Sequence, residues 1–409
     1  MKPMRRNKLF ALSLAGVFIA AAGCSGGTSS SSINTGGGGS GSSGTNIQSI
    51  SSTPPGGPGS YVDGVFTSVT VCSPGSTTNC QTIDGVLLDT GSSGLRILSS
   101  ALSVSLSQQT GANGDPVVEC LPFVDGVTWG PVQTADITIN GEQAKSLPIQ
   151  VIGSSNFSTV SNGCLNYGAP EDTFADLGAN GILGVGNFPQ DCGGGCTESG
   201  ANNPGLYYTC SGANCEVTTE SIANQVANPV IFFPTDNNGV LIDLSSVSGA
   251  QANVTGSVIF GIGTQSNNAL GSATVYTVDP NYGNFTTTFN NVTYGDNAYL
   301  DSGSNALYFD SNTMNIPVCN DLTFWYCPSS TLNLSATNQG FNGATGTVSF
   351  VVGNADTLAA NDSDYAVNGL AGPNPGMFDW GLPFFFGRKV FTAIEGQNTP
   401  AGAGPYVAY

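Results

Sequence analysis

One short pattern occurs twice in this chain, too far apart to belong to one lobe. Residues 85–98 read GVLLDTGSSGLRIL and residues 297–309 read NAYLDSGSNALYF. In each copy an apolar run ends on an acid, Asp89 or Asp301, then come a hydroxyl residue, glycine and serine, and a second apolar run. A lone acid before glycine at the end of a strand is ordinarily a hairpin turn. Two copies 212 residues apart, each after an apolar strand, imply an internal duplication with one copy per lobe.

The surrounding sequence fits two β lobes. From Tyr61 onward, short runs such as VFTSVTV, ADITI, LPIQVI, VSFVV and VFTAI alternate with Gly, Asn, Asp and Pro, which is the signature of strands joined by turns. Helical periodicity is rare and clearest over residues 219–229, TESIANQVANP. The 349 residues from 61 to 409 exceed one ordinary core. The expected fold is therefore all-β and bilobal, with minor helix.

The N-terminus reads as an export signal. A basic start, MKPMRRNK, precedes the apolar run LFALSLAGVFIAAAG and then Cys24. AAGC resembles a bacterial lipobox, with Ala21 in the usual leucine place, so Cys24 is the expected lipidated residue. Residues 25–60 are nearly all Gly, Ser, Thr, Asn and Pro, a composition that cannot offset its own ordering entropy. The organisation reads as a signal peptide over 1–23, lipidated Cys24 and a tether over 24–60, a first lobe over 61–245 and a second over 246–409. Export to the cell envelope follows, and Ser25 after Cys24, rather than an aspartate, points to the outer membrane.

Charge and residue inventory narrow the function. The signal removes four cations, leaving Arg96, Lys145, Arg388 and Lys389 against 27 acids, hence a formal charge of −23. Such a chain cannot neutralise a phosphate backbone, so no nucleic acid partner is expected. It contains no histidine, which removes Ser/His/Asp triads, Cys/His dyads and the usual zinc hydrolase sites. Carboxylates are the remaining acid and base, and neither metal nor cofactor is expected. Calcium at PTDNNG or NDSDYAVNG is disfavoured, because neither completes a calcium loop.

Ten cysteines beyond Cys24 in an exported chain imply five disulfides. Spacing pairs Cys72 with Cys80 and Cys319 with Cys327, and Cys120 is expected to meet Cys164. Cys192, Cys196, Cys210 and Cys215 then pair among themselves, a four-thiolate zinc site being the alternative.

The two Asp-[Thr/Ser]-Gly-Ser stretches resemble the catalytic loops of the pepsin-like aspartic peptidases. NGILGVG at 180–186 is similar to the segment that braces the first loop, residues 241–261 to the crossover between lobes, and GLPFFFGRKVFTAIE at 381–395 to the closing segment. The chain resembles still more closely a family of proteobacterial lipoproteins, described as a domain of unknown function and related to these peptidases. The resemblance implies a pepsin-like fold with a cleft between lobes and Asp89 and Asp301 as catalytic acids. Thr90 and Ser302 would lock the loops together, Gly91 and Gly303 would allow the sharp turns, and Ser92 and Ser304 would donate to the carboxylates.

Two departures stand out. The flap region, CLPFVDGVTWGPVQ, lacks the family's tyrosine and offers Phe123 and Trp129 instead, and Asp379 in FDWGLP stands where an apolar residue is expected. Arg96 is expected to pair with an acid inside the first lobe, and Phe384, Phe385 and Phe386 to be core. The implied activity is endopeptidase cleavage of a peptide or protein substrate by a monomer anchored through its N-terminal lipid. The alternatives are a peptide- or envelope-binding module on the same fold and a carboxylate-pair glycosidase.

Overall fold

The computed structural model describes residues 46–311 and 314–409. The signal peptide, Cys24 and most of the tether lie outside the described residues. Among the described residues, α-helix is limited to three single turns, Asn162–Leu165, Phe174–Leu177 and Ala355–Leu358, and no helix is long and apolar enough to cross a membrane. The fold is all-β and two-lobed, built from barrel-like sheets.

Each lobe contains the same local topology. In the first, Cys80–Asp89 runs parallel to Gly181–Val185, which also pairs antiparallel with Ser93–Leu98. In the second, Val292–Leu300 runs parallel to Phe378–Trp380, which pairs antiparallel with Leu307–Phe309. The strand that ends in the acid and the strand that leaves the loop thus flank one later strand. Ser93–Leu98 is buried at every position, as a strand covered on both faces must be. The duplication seen in sequence is a duplication of this three-strand unit.

A shared ladder joins the halves. Ile47–Ser51, Thr255–Phe260, Gly239–Leu244, Lys389–Ala393, Tyr406–Ala408 and Val275–Thr277 are successive neighbours in one sheet. Two pairings cross the divisions expected from the sequence. Ile47–Ser51, within the expected tether, pairs along its length with Thr255–Phe260; Gln48 and Ser51 are half-exposed, Ser49 is exposed and Ile50 is buried. A boundary at 245/246 falls within an antiparallel pair, since Val240 faces Phe260 and Leu244 faces Gly256.

One apolar cluster runs through both lobes, from Val86, Leu88, Leu95 and Leu183 through Val240, Ile242 and Val258 to Phe309, Phe378 and Trp380. Phe384, Phe385 and Phe386 are buried in it. In the second lobe the aromatics stack closely, with ring centroids 5.0 Å apart for Phe309–Phe378 and 4.4 Å for Phe378–Trp380. Each such side chain contributes roughly 1.5–3 kcal/mol on burial, and Phe378 and Trp380 lie on the strand paired with the one that presents Asp301.

The helix expected at 219–229 is a single 3-10 turn, Ile222–Asn224. Here side-chain hydrogen bonds displace helical backbone bonds. Gln225 Nε2 donates to the carbonyls of Gly193 and Glu220, and Asn228 Nδ2 to that of Gly186. Pro229 then opens the next turn.

All five disulfides are formed: Cys72–Cys80, Cys120–Cys164, Cys192–Cys196, Cys210–Cys215 and Cys319–Cys327. The four-cysteine cluster resolves into two short-range bridges, which removes the four-thiolate alternative.

Candidate functional site

Asp89 ends its strand and Asp301 directly follows Leu300, so both acids emerge where the paired strands diverge. The loops they begin are bonded to each other across 212 residues of sequence. The Thr90 N–H donates to Ser302 Oγ at 3.1 Å, and the Ser302 N–H donates to Thr90 Oγ1 at 3.0 Å. Thr90 Oγ1 in turn donates to the Leu300 carbonyl at 3.3 Å, and Ser302 Oγ to the Leu88 carbonyl at 2.8 Å. Both side chains are buried. Each hydroxyl therefore serves as donor and acceptor at once, which fixes its rotamer and ties the loops as one unit.

The glycines show how closely the acids approach. A Cβ on Gly91 would lie 2.6 Å from Asp301 Cγ, and one on Gly303 would lie 2.7 Å from Asp89 Oδ1. Any larger residue would drive the opposite carboxyl away. Their N–H groups are used as well, Gly91 donating to Asp89 Oδ1 at 2.7 Å and Gly303 to Asp301 Oδ1 at 2.8 Å. Ser92 Oγ donates to Asp89 Oδ2, and Ser304 Oγ to Asp301 Oδ2 at 2.8 Å. The two halves are chemically symmetric.

Electrostatics couples the two loops. Burial first, then the negative charge of Asp301 and a hydrogen bond to it, push the Asp89 carboxyl up to about 8, against the pull of the Ser92 and Gly91 donors. Like charges at contact cannot both ionise. The pair therefore keeps a proton well above the ordinary carboxylate range.

The bracing segments are close enough to exclude side chains. A Cβ on Gly184 would lie 2.8 Å from Ser92 Oγ, and one on Gly381 only 2.0 Å from the Ala306 carbonyl. Asp379, on the second brace, is 2 % exposed. Burial and the neighbouring Asp301 hold its carboxyl well above the usual range.

The flap region is a hairpin, Val117–Pro122 against Val127–Ile139, with the Phe123 N–H donating to the Gly126 carbonyl across the tip. Phe123 at that tip packs on a small cluster with Tyr61, Phe66 and Leu98. Trp129 does not serve there. It is 2 % exposed, lies edge-on to Tyr208 at 5.1 Å and donates to the Phe157 carbonyl. It faces inward because it sits beside Cys120, whose bridge to Cys164 closes that cluster.

Sequence reasoning missed three tyrosines around the acids. Tyr61 donates to the Gly303 carbonyl at 3.3 Å, and its phenol is pushed up by burial and then by the charges of Asp125, Asp301 and Asp89. Phe123 of the hairpin tip and this tyrosine pack against the same apolar cluster. Tyr299 and Tyr308 pair in register with Asp379 from its two sides. Those two stood inside the repeated motif and followed its strand alternation, whereas nothing local in the sequence marked Tyr61.

Behind the first loop, Arg96 is wholly buried and meets Glu119 at 2.6 Å and Asp191 at 3.3 Å. It also donates to the Ser93 carbonyl at 2.9 Å, and Tyr207 donates to Asp191 at 2.7 Å. Its expected structural role is what the geometry shows. Asp236 of PTDNNG is occupied by Thr264 and Gln265.

An all-β, two-lobed protein with one Asp-[Thr/Ser]-Gly-Ser loop per lobe, the two held face to face, is the class that fold and site define. The chain belongs to the family described as protein of unknown function (DUF3443), whose model matches residues 42–409. No curated protein matches it.

Proposed function

We propose that this protein is an envelope-tethered, pepsin-like aspartic endopeptidase that uses Asp89 and Asp301 to activate a water against an extended peptide. The observation that carries the reading is the reciprocal bonding of Thr90 and Ser302, which holds the two acids against each other. A turn acid needs no such partner.

The chemistry follows from a pair that holds one proton. The ionised carboxylate takes a proton from water as the oxygen adds to the peptide carbonyl carbon, while the protonated carboxyl hydrogen-bonds the carbonyl oxygen. The C–N bond then breaks as the amine receives a proton from the pair. Sharing of one proton is general to two carboxyls at contact, and the paired aspartates of aspartic proteases are its best-known case. With the Asp89 carboxyl pushed up to about 8, the working window extends toward neutral pH. Peptide would lie between the lobes beneath the tip at 123–126, and export and lipidation at Cys24 would place the enzyme at the envelope, acting as a monomer.

The test is cleavage of an unfolded protein mixture by the full chain between about pH 4 and 8, beside Asp89→Asn and Asp301→Asn. Either substitution should abolish cleavage. Cleavage that survives both contradicts the dyad, and a folded wild type that cleaves nothing at any pH turns the reading to a peptide- or envelope-binding module.

A further inference from the structure

A cavity of about 550 Å3 opens in the second lobe, between the hairpin of Leu332–Gln339 and Thr345–Val352 and the turn Leu382–Phe384. No residue of either acid loop lines it. Leu334 and Phe350 line it from the hairpin, Trp380, Phe384 and Phe386 from the brace and the turn, and Arg388 stands beside them. Leu334 and Phe350 pack against the core yet are only half-buried. The volume is that of a site for a small molecule.

Arg388 differs from the other cations of residues 24–409. Arg96 meets Glu119 and Asp191, Lys389 lies 3.4 Å from Asp243, and Lys145 is exposed to solvent. Arg388 is half-buried and pairs with no carboxylate among the described residues, although the chain has 27 acids. Its Nη atoms donate to the carbonyls of Phe384 and Ser349, and its Cζ stands 4.7 Å from the centre of the Phe384 ring. These contacts place the guanidinium over an aromatic side chain and occupy only two of its five N–H groups. Burial pushes it below its ordinary value, the direction expected of a cation with no anion beside it.

We propose that this cavity binds a small monocarboxylate with an apolar body, the carboxylate on Arg388 and the body among Leu334, Phe350 and Phe386. A planar guanidinium matches a carboxylate through paired hydrogen bonds, and one cation balances one charge, which favours a carboxylate over a phosphate dianion. The rest of so acidic a chain repels anions, so an arginine free of acids makes the site selective. The same chemistry is offered by a fatty acid and by an apolar C-terminal residue of a peptide.

The experiment is titration of the 15N-labelled full chain with octanoate and with N-acetylphenylalanine, followed by amide shifts and calorimetry. Octanol and N-acetylphenylalanine amide serve as the neutral counterparts. At least one acid should bind and shift amides of residues 332–352 and 384–388, and its neutral counterpart should bind roughly 10- to 100-fold more weakly. Binding of octanoate points to a lipid-derived ligand, and binding of N-acetylphenylalanine to a peptide-derived one. Arg388→Met, which keeps the stem, should weaken the acid by a similar factor, and Arg388→Lys by less because the charge remains. Binding of neither acid, equal binding of acid and neutral counterpart, shifts confined to other residues, or an unweakened Arg388→Met each overturns the proposal. Should Arg388→Met not fold, the comparison of acid with neutral counterpart on wild type decides alone. No step depends on cleavage, so the result stands apart from the peptidase reading.

Discussion

Replacing Asp89 with asparagine should make the protein more stable at neutral pH while removing its activity. The sign follows from the direction of the shift. Folding carries the Asp89 carboxyl from its ordinary 3.8 to about 8, chiefly by burial and then by Asp301. Below the ordinary value both states are protonated and nothing is gained or lost. Between the two values the folded chain holds a proton that the unfolded chain has released, so stability falls as pH rises, by about 1.4 kcal/mol per unit. At pH 7, 3.2 units above the ordinary value, the cost is on the order of 4 kcal/mol. Asparagine cannot titrate, and its carbonyl still accepts the Gly91 N–H now made to Oδ1 at 2.7 Å. Asp63, Asp191 and Asp379 are also buried acids pushed upward, so the wild-type slope contains them too. The difference between wild type and Asp89→Asn isolates the site. Urea unfolding from about pH 4 to 8 should show curves that nearly meet at the acid end and diverge steadily toward neutrality. Parallel curves would refute the claim that the folded site retains a proton on Asp89.

Other perturbations follow from the same geometry. Thr90→Val removes both roles of a buried hydroxyl, leaving the Ser302 N–H unpartnered, and should cost about 1–3 kcal/mol in urea unfolding and lower kcat more than it raises KM. Arg96→Met leaves Glu119 and Asp191 buried without their cation and should destabilise by about 3–5 kcal/mol, or prevent folding. A second change, Glu119→Gln on that background, should recover part of the loss. Replacing Cys120 and Cys164 together by alanine opens a bridge with a sequence separation of 44 and should cost about 4 kcal/mol by loop entropy, read as a lowered unfolding midpoint under oxidising conditions.

The fold was legible because its defining element is repeated and local. An apolar strand, an acid, glycine and serine encode both the strand end and the turn within a short stretch, and the brace GILGVG announces itself by alternating large residues with glycines that the loop presses against. The reciprocal Thr90–Ser302 bonds were expected from the resemblance and are formed. What escaped depends on long-range pairing. Ile47–Ser51 is a strand only because Thr255–Phe260 supplies its partner, and no composition window can see that. Residues 219–229 lost their helix to side-chain bonds made with distant carbonyls. Trp129 was read as a flap residue because its neighbours in sequence form the hairpin; the disulfide that turns it inward closes on Cys164, well outside that stretch.

The central claim is that Asp89 and Asp301 behave as one titrating unit. Carboxyl 13C titration of the wild-type chain, with the two residues assigned from their Asn variants, tests it most directly. Both resonances should respond in the same two steps, separated by more than about 2 pH units, with the upper step near 8. Two carboxyls that each titrate once, independently, in the ordinary range would contradict it.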